Sequence, residues 1–290
     1  MKNTDGYETN DVGHSGANIR IDDYVVMPAL SCDRSSMNAI GVFSHEFGHA
    51  FKLPDLYDTG SGKSSGIGGW GLMASGSWGG EGGGRPDAPT HMTAWSKQYL
   101  GWVFPREINT DTKDVVIEPY ATTQDVVLVD YTNAFDPYDD NYLLLEFRNQ
   151  DGFDLTLPNS GLLVTQVNNT RVSSGLVNNQ VNGVQHDQGV DVIEADGRHD
   201  LTYSRNRGDS GDVFLGATRA SQHTGNSVEP IKAALCNIRE RAGSMILDIY
   251  VSRNTCPTLT KASTRQNTSR QSNPDGNELS DTIERMLKGK

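Results

Sequence analysis

Twelve glycines crowd into the 25 positions from 60 to 84. No helix or regular strand survives that density, because glycine has the most backbone freedom to lose and offers no side chain to pack. The segment must be a long loop. It keeps a shape only if its few large residues, Trp70, Leu72, Met73 and Trp78, are wedged into something. The rest of the chain therefore has to supply a frame around it.

That frame is legible on both sides. Ahead of the loop, Met37, Ile40, Phe43, Phe47, Ala50 and Phe51 recur at spacings of three and four. The period predicts an amphipathic helix over residues 35–51, with Asp33 or Ser35 able to cap its start and Pro54 just past its end. Behind the loop, Met92, Trp95, Tyr99 and Leu100 share a face of a second helix, which Gly101 can terminate. From Asp114 onward, runs such as VVIEPY, DVVLVDY, YLLLEF, GLLVTQV, VDVIEA and MILDIYV alternate with Gly, Asn, Asp and Pro clusters. They predict an antiparallel β-rich half. Residues 1–20 are polar without periodicity, and residues 21–30 read as a short strand, Tyr24–Met27, running into a loop at Pro28. After Cys256 the chain turns to Ser, Thr, Asn, Gln and Arg, with too little apolar surface to order itself. The expected organisation is a metal-binding region over 1–105, a β-rich region over 106–256 and a disordered tail over 257–290.

The first helix carries His45-Glu46-Phe47-Gly48-His49. Two histidines one turn apart on one face can share a metal ion, and Glu46 beside them can hold a water on it. Zinc takes a third protein ligand and keeps one position open. A helix that stops near Lys52 and reverses can bring back Asp55, six residues past His49. Asp58 is the rival in the same loop, and Glu81 a weaker one.

Charge and cysteine usage narrow the class. With 37 acidic and 25 basic side chains the net charge is −12, which argues against nucleic acid. No apolar run approaches the roughly 18 residues of a membrane helix. Residues 1–7 lack the apolar stretch of a signal peptide, so a secretion signal would be encoded outside this sequence. Of Cys32, Cys236 and Cys256, the last two flank an expected strand and could be bridged, but an odd cysteine count makes free thiols the simpler expectation. Residues 208–212 and 136–140 place oxygen ligands suited to calcium in turns, although solvated turns explain them more simply. Glu146 and Arg148, two apart on an expected strand, read as a buried ion pair with further partners. Glu194 and Asp196 resemble a paired-carboxylate site only weakly.

The segments HEFGHAFKLPDLYD, SSGIGGWGLMASGSWGG and AWSKQYLGW together resemble the immune inhibitor A family of secreted bacterial zinc metallopeptidases. The resemblance extends from about Tyr24 to about Val251 through LLLEFRNQDGFD, LPNSGLLVTQV and GDSGDVF. It implies an α+β fold with a metzincin-like zinc-site helix and a glycine-rich Met-turn loop, followed by an antiparallel β-rich half. It further implies zinc on His45, His49 and Asp55, Glu46 as catalytic base, and Met73 as the methionine of the turn beneath the metal. Secretion and protein or peptide substrates follow from the same likeness. His91 and Tyr57 are candidate oxyanion donors, each read more simply as structural. Two features depart from the family pattern. Lys52 stands where the family has the glycine of the helix reversal, and only 44 residues precede His45. The second implies a chain truncated at its N-terminus. It leaves a rival reading, a catalytically silent, zinc-retaining β-rich binding module.

Overall fold

Apolar runs with both faces hydrophobic belong in sheets covered on two sides, and the second half of the chain builds such a sheet. The computed structural model describes residues 2–30, 34–80, 84–131, 141–215 and 231–257. Its elements are β1 (Lys2–Val12), β2 (Asn18–Asp23), α1 (Ile40–Ala50), α2 (Ala94–Tyr99), β3 (Arg106–Ile108) and β4 (Thr112–Ile117). They continue as α3 (Tyr120–Thr123), β5 (Val126–Asp130), β6 (Asn141–Arg148), β7 (Gly161–Asn168), α4 (Asn169–Leu176), β8 (Val190–Val192), β9 (Ala234–Arg241) and β10 (Ser244–Tyr250). The fold is α+β.

The larger sheet runs β3-β5-β6-β7-β8, and a three-stranded sheet runs β4-β10-β9. Pairing is antiparallel throughout both, except that β3 joins β5 in parallel at the edge. Alternation along β6 assigns its two faces. Leu143, Leu145 and Phe147 meet Ile117, Leu235, Leu247 and Ile249 of the smaller sheet. Leu144 turns the other way and joins a core with Leu56, Ile67, Trp70, Met73 and Trp95. The five-stranded sheet thus stands between the small sheet and the glycine-rich region.

Several expectations are corrected. Residues 1–20 show no periodicity in the sequence, yet β1 and β2 form an antiparallel ribbon. A turn with Gly13 N–H bonded to the Ala17 carbonyl and Gly16 at φ +78° reverses the chain. Ladder hydrogen bonds are a backbone property, so a polar sequence need not advertise them. Tyr24–Met27, expected as strand, lies past the end of β2.

The first helix begins at Ile40, not near residue 35. Met37 is bridged to Leu30, and the Asn38 N–H bonds the Ala29 carbonyl, which takes this stretch out of the helix. Ala39 stands at the N-cap without a side-chain cap, so Ser35 does not cap it, and Asp33 lies outside the described residues. The Pro86 carbonyl accepts the Gly41 N–H instead, satisfying one of the helix's orphan donors from a distant loop.

The face that α1 buries is also not the apolar one. Gly41, His45 and Gly48 are buried, while Phe47 stays 57% exposed and Phe43 41%. Glycines decide this. A Cβ on Gly48 would lie 2.5 Å from Met73 Sδ, and one on Gly41 would strike the Ser77 carbonyl oxygen. The helix sits flush on the glycine loop through its smallest residues. Within that loop, short 3-10 turns at Gly68–Trp70 and Ser75–Trp78 interrupt the irregular path. Trp70, Leu72 and Met73 are buried as expected, but Trp78 is 44% exposed.

Cys236 and Cys256 form a disulfide, against the expectation of free thiols. The reason is register. β10 runs back along β9 with Tyr250 opposite Ala234, so the chain beyond β10 emerges beside Cys236. Cys32, Glu81, residues 136–140 and the tail beyond Pro257 lie outside the described residues.

Candidate metal centre

His45 and His49 lie one helical turn apart on α1, their ring centroids 4.9 Å apart and the rings nearly perpendicular. The helix then ends abruptly. Lys52 takes φ +71°, its N–H bonds the His49 carbonyl, and the Leu53 N–H bonds the Gly48 carbonyl at 3.2 Å. This is a Schellman reversal with lysine at the position that favours glycine. The chain doubles back through Pro54 and delivers Asp55 to the histidine face. Asp55 Oδ1 lies 3.0 Å from His45 Nε2 and 3.3 Å from His49 Nε2. The ligand atoms of the three residues all fall within 4.8 Å of one another, and no other such group occurs among the described residues.

Hydrogen bonding fixes which nitrogens are available. His45 Nδ1 is 2.8 Å from the Leu72 carbonyl, and His49 Nδ1 is 2.8 Å from the Leu53 carbonyl. A carbonyl can only accept, so each Nδ1 carries a proton and, in the neutral ring, each Nε2 carries a lone pair. Both lone pairs point at Asp55 Oδ1, itself buried with no hydrogen-bond donor. Three acceptors facing one another in a buried place repel unless a cation sits among them. A divalent metal ion fits the donor set, two imidazoles and a carboxylate. Without metal, a proton serves instead. The hydrogen bond to Asp55 raises the His49 pKa despite burial. Burial alone would push Asp55 up, but His45, His49 and Asn179 hold it well below the usual carboxylate range.

The rival Asp58 is fully occupied. Its carboxylate accepts the backbone N–H groups of Gly60, Ser61, Lys63 and Ser64 and the Ser61 hydroxyl, as a turn carboxylate does. Glu46 is half-buried on α1, and its charge acts on both His49 and Tyr57. Tyr57 stacks on His45 at 6.4 Å. Burial, and then the charge and hydrogen bond of Asp55, push its phenol up to about 12. His91 packs its ring edge-on to Tyr120 and Phe153, and burial lowers its pKa. Met73 lies buried beneath α1 with its sulfur against Gly48, and its carbonyl accepts the Leu56 N–H.

The expected buried Glu146–Arg148 ion pair is present, together with its expected further partners. Arg148 is fully buried, forks onto Asp154 at 2.7 and 2.8 Å, and reaches Glu146 and the Trp70 carbonyl. Glu146 in turn accepts the Ala94 N–H at the start of α2, and Asp154 accepts the His91 N–H. Glu194 accepts the N–H groups of Asp200 and Leu201, and burial pushes it up to about 7. Asp212 accepts from Trp70 Nε1 and the Asp209 N–H, and burial pushes it up to about 6. Sequence reasoning missed Asn179, which donates to Asp55 Oδ2 at 2.6 Å across 124 positions. No local pattern could have signalled it.

The sequence model of the immune inhibitor A peptidase M6 catalytic domain matches residues 1–104. The family resemblance is thereby shown over that stretch, which contains α1, the glycine loop and α2; the two sheets lie beyond it. Two curated relatives, the pre-pro-metalloprotease PrtV of Vibrio cholerae serotype O1 strains M66-2 and ATCC 39315 / El Tor Inaba N16961, are each 36% identical over 97 residues. Those residues are 33% of this chain and 10% of each relative, so the match spans about a tenth of the relatives' length.

Proposed function

We propose that this chain is a zinc-dependent endopeptidase acting on protein or peptide substrates. His45, His49 and Asp55 are its zinc ligands and Glu46 its general base. One observation carries the reading: two carbonyl-anchored imidazoles aim their Nε2 lone pairs at a buried carboxylate oxygen that has no donor. The match of residues 1–104 to a peptidase catalytic domain supports it. So does the retention of Glu46 beside the three ligand residues, which a zinc-retaining binding module does not require.

Zinc, when bound, supplies positive charge that polarises a scissile carbonyl and acidifies a water towards a pKa of ~7. The chain supplies the rest. Glu46 takes the proton of the attacking water and returns it to the leaving amine. The Leu72 and Leu53 carbonyls hold the imidazoles in the ligating tautomer. Met73, as the Met-turn residue, is the floor on which α1 rests. Tyr57, beside His45, is better placed than His91 to donate to a developing oxyanion. The disulfide supports a secreted protein, since such bonds persist in oxidising compartments.

Zinc content and casein hydrolysis, measured together, test the reading. One zinc per chain and chelator-sensitive cleavage are expected. Glu46→Gln should keep the zinc and lose on the order of 10²-fold or more in rate. A chain that binds no zinc, or a Glu46→Gln variant as active as the parent, refutes it.

A further inference from the structure

We infer that Asn179 is a positioning residue that dictates how the Asp55 carboxylate meets the metal; the inference rests on the zinc reading above. Asn179 follows α4 and adopts φ +55°, a left-handed conformation that asparagine tolerates better than most residues. Its carboxamide grips Asp55 twice. Nδ2 donates to Asp55 Oδ2 at 2.6 Å, and Oδ1 accepts the Asp55 N–H at 2.7 Å. The grip fixes both the side-chain plane and the backbone of the same residue.

The consequence falls on the other oxygen. A carboxylate can bind a metal through one oxygen or through both. With Oδ2 engaged by an amide donor, Oδ1 alone is presented to His45 and His49. A single-oxygen ligand keeps the coordination number low and a position open, as a catalytic zinc site requires. Partners of this kind orient the ligand and typically alter metal affinity 10–100-fold.

The grip is itself held rigidly. Thr59 Oγ1 donates to the Asn179 carbonyl at 2.5 Å. Three residues on, buried Asn182 donates to the carbonyls of Leu56 and Val190 and accepts the Val190 N–H. The segment after α4 is thereby bolted both to the metal loop and to the start of β8. Residue chemistry at 179 is restricted. Aspartate there would set a second carboxylate against Asp55, and glycine would keep the backbone while removing the grip.

The test measures zinc dissociation constants by competition with a chromophoric chelator, the Co(II) absorption spectrum, and metal-free melting curves. The proteins compared are the full chain and its Asn179→Gly, Asn179→Asp and Thr59→Val variants. Asn179→Gly should bind zinc about 10–100-fold more weakly. Its Co(II) bands should lose intensity as Asp55 swings to bind through both oxygens and the coordination number rises. Asn179→Asp, which retains the acceptor for the Asp55 N–H, should also weaken zinc and serves if Asn179→Gly does not fold. Thr59→Val loosens the same segment but leaves both carboxamide bonds to Asp55 in place, so it should weaken zinc binding much less than Asn179→Gly and leave the spectrum close to wild type. Equal zinc affinity and an unmoved spectrum in both Asn179 variants would overturn the inference. So would a Thr59→Val loss as large as that of Asn179→Gly, since loop stiffness alone would then explain it. A wild-type chain that holds no zinc overturns the zinc reading and this role with it; zinc held equally by wild type and Asn179→Gly overturns this role alone.

Discussion

Two buried polar centres hook the same glycine loop two residues apart. Arg148 donates to the Trp70 carbonyl, and His45 to the Leu72 carbonyl. In the first centre the chain supplies its own cation: the Arg148 guanidinium is shared between Asp154 and Glu146, each of which also accepts a backbone N–H, from His91 and Ala94 respectively. In the second, two Nε2 atoms and Asp55 Oδ1 converge with no permanently charged side chain such as arginine among them. Burial alone does not distinguish a binding site from a structural anchor. The distinction is whether the donors and acceptors balance.

The sharpest way to break that comparison is Arg148→Met. It leaves two carboxylates buried without a counter-charge, which costs about 3–5 kcal/mol. Urea unfolding should record a loss of that size or outright failure to fold. A loss below about 1 kcal/mol would mean that the centre is not an anchor.

The metal centre should respond to metal. Zinc at about 100 times its dissociation constant stabilises a one-site protein by ~2.7 kcal/mol. Thermal melts with zinc and with chelator should differ accordingly for the parent and for Asp58→Ala. For Asp55→Ala the two curves should coincide. Loss of the shift in Asp58→Ala instead would reverse the assignment of the third ligand.

A third polar cluster lies between these extremes. Burial raises Glu194 from an ordinary 4.5 to about 7, and Asp212 from 3.8 to about 6. In that window the folded chain keeps protons that the unfolded chain has released, so stability falls as pH rises. The contribution is complete below about pH 4 and gone above about pH 7. Metal-free protein should lose stability across that range, and Glu194→Gln should flatten the slope. A slope unchanged by that substitution would remove Glu194 as its source.

The smallest effect is local. Lys52 holds a left-handed conformation at the helix reversal, at a cost of about 1 kcal/mol relative to glycine. Lys52→Gly should therefore raise the unfolding free energy slightly. A decrease would show that the lysine side chain contributes more there than its backbone loses.

The Lys52 reversal was legible because helix period, Pro54 and the return of an acidic residue all fall within a dozen positions. Both histidines, Asp55 and the buried Glu146–Arg148 pair were likewise readable from spacing. The start of α1 was not, since one of its orphan N–H groups, that of Gly41, is satisfied by the carbonyl of Pro86, 45 positions away. Nor was β9, whose sequence ALCNIRER mixes charge with apolar residues and pairs through β10. The exposed Phe43 and Phe47 misled for a physical reason. Apolar period identifies a face, but steric fit decides which face goes inward, and here glycines made the histidine face the close-packing one.

By itself the sequence determined the local chemistry: a helix bearing two histidines one turn apart, a reversal, a carboxylate returned to them, and a loop too rich in glycine to be anything else. These follow from interactions within a few residues, where chain geometry leaves little choice. The tertiary structure alone decided what surrounds that chemistry. It brought Asn179 to Asp55, Arg148 to the Trp70 carbonyl and Cys256 to Cys236, because such pairings depend on how sheets stack and loops dock over more distant positions. Long-range contacts of that kind carry no period and no spacing, so only the folded chain reveals which lone pairs are satisfied and which are left facing one another.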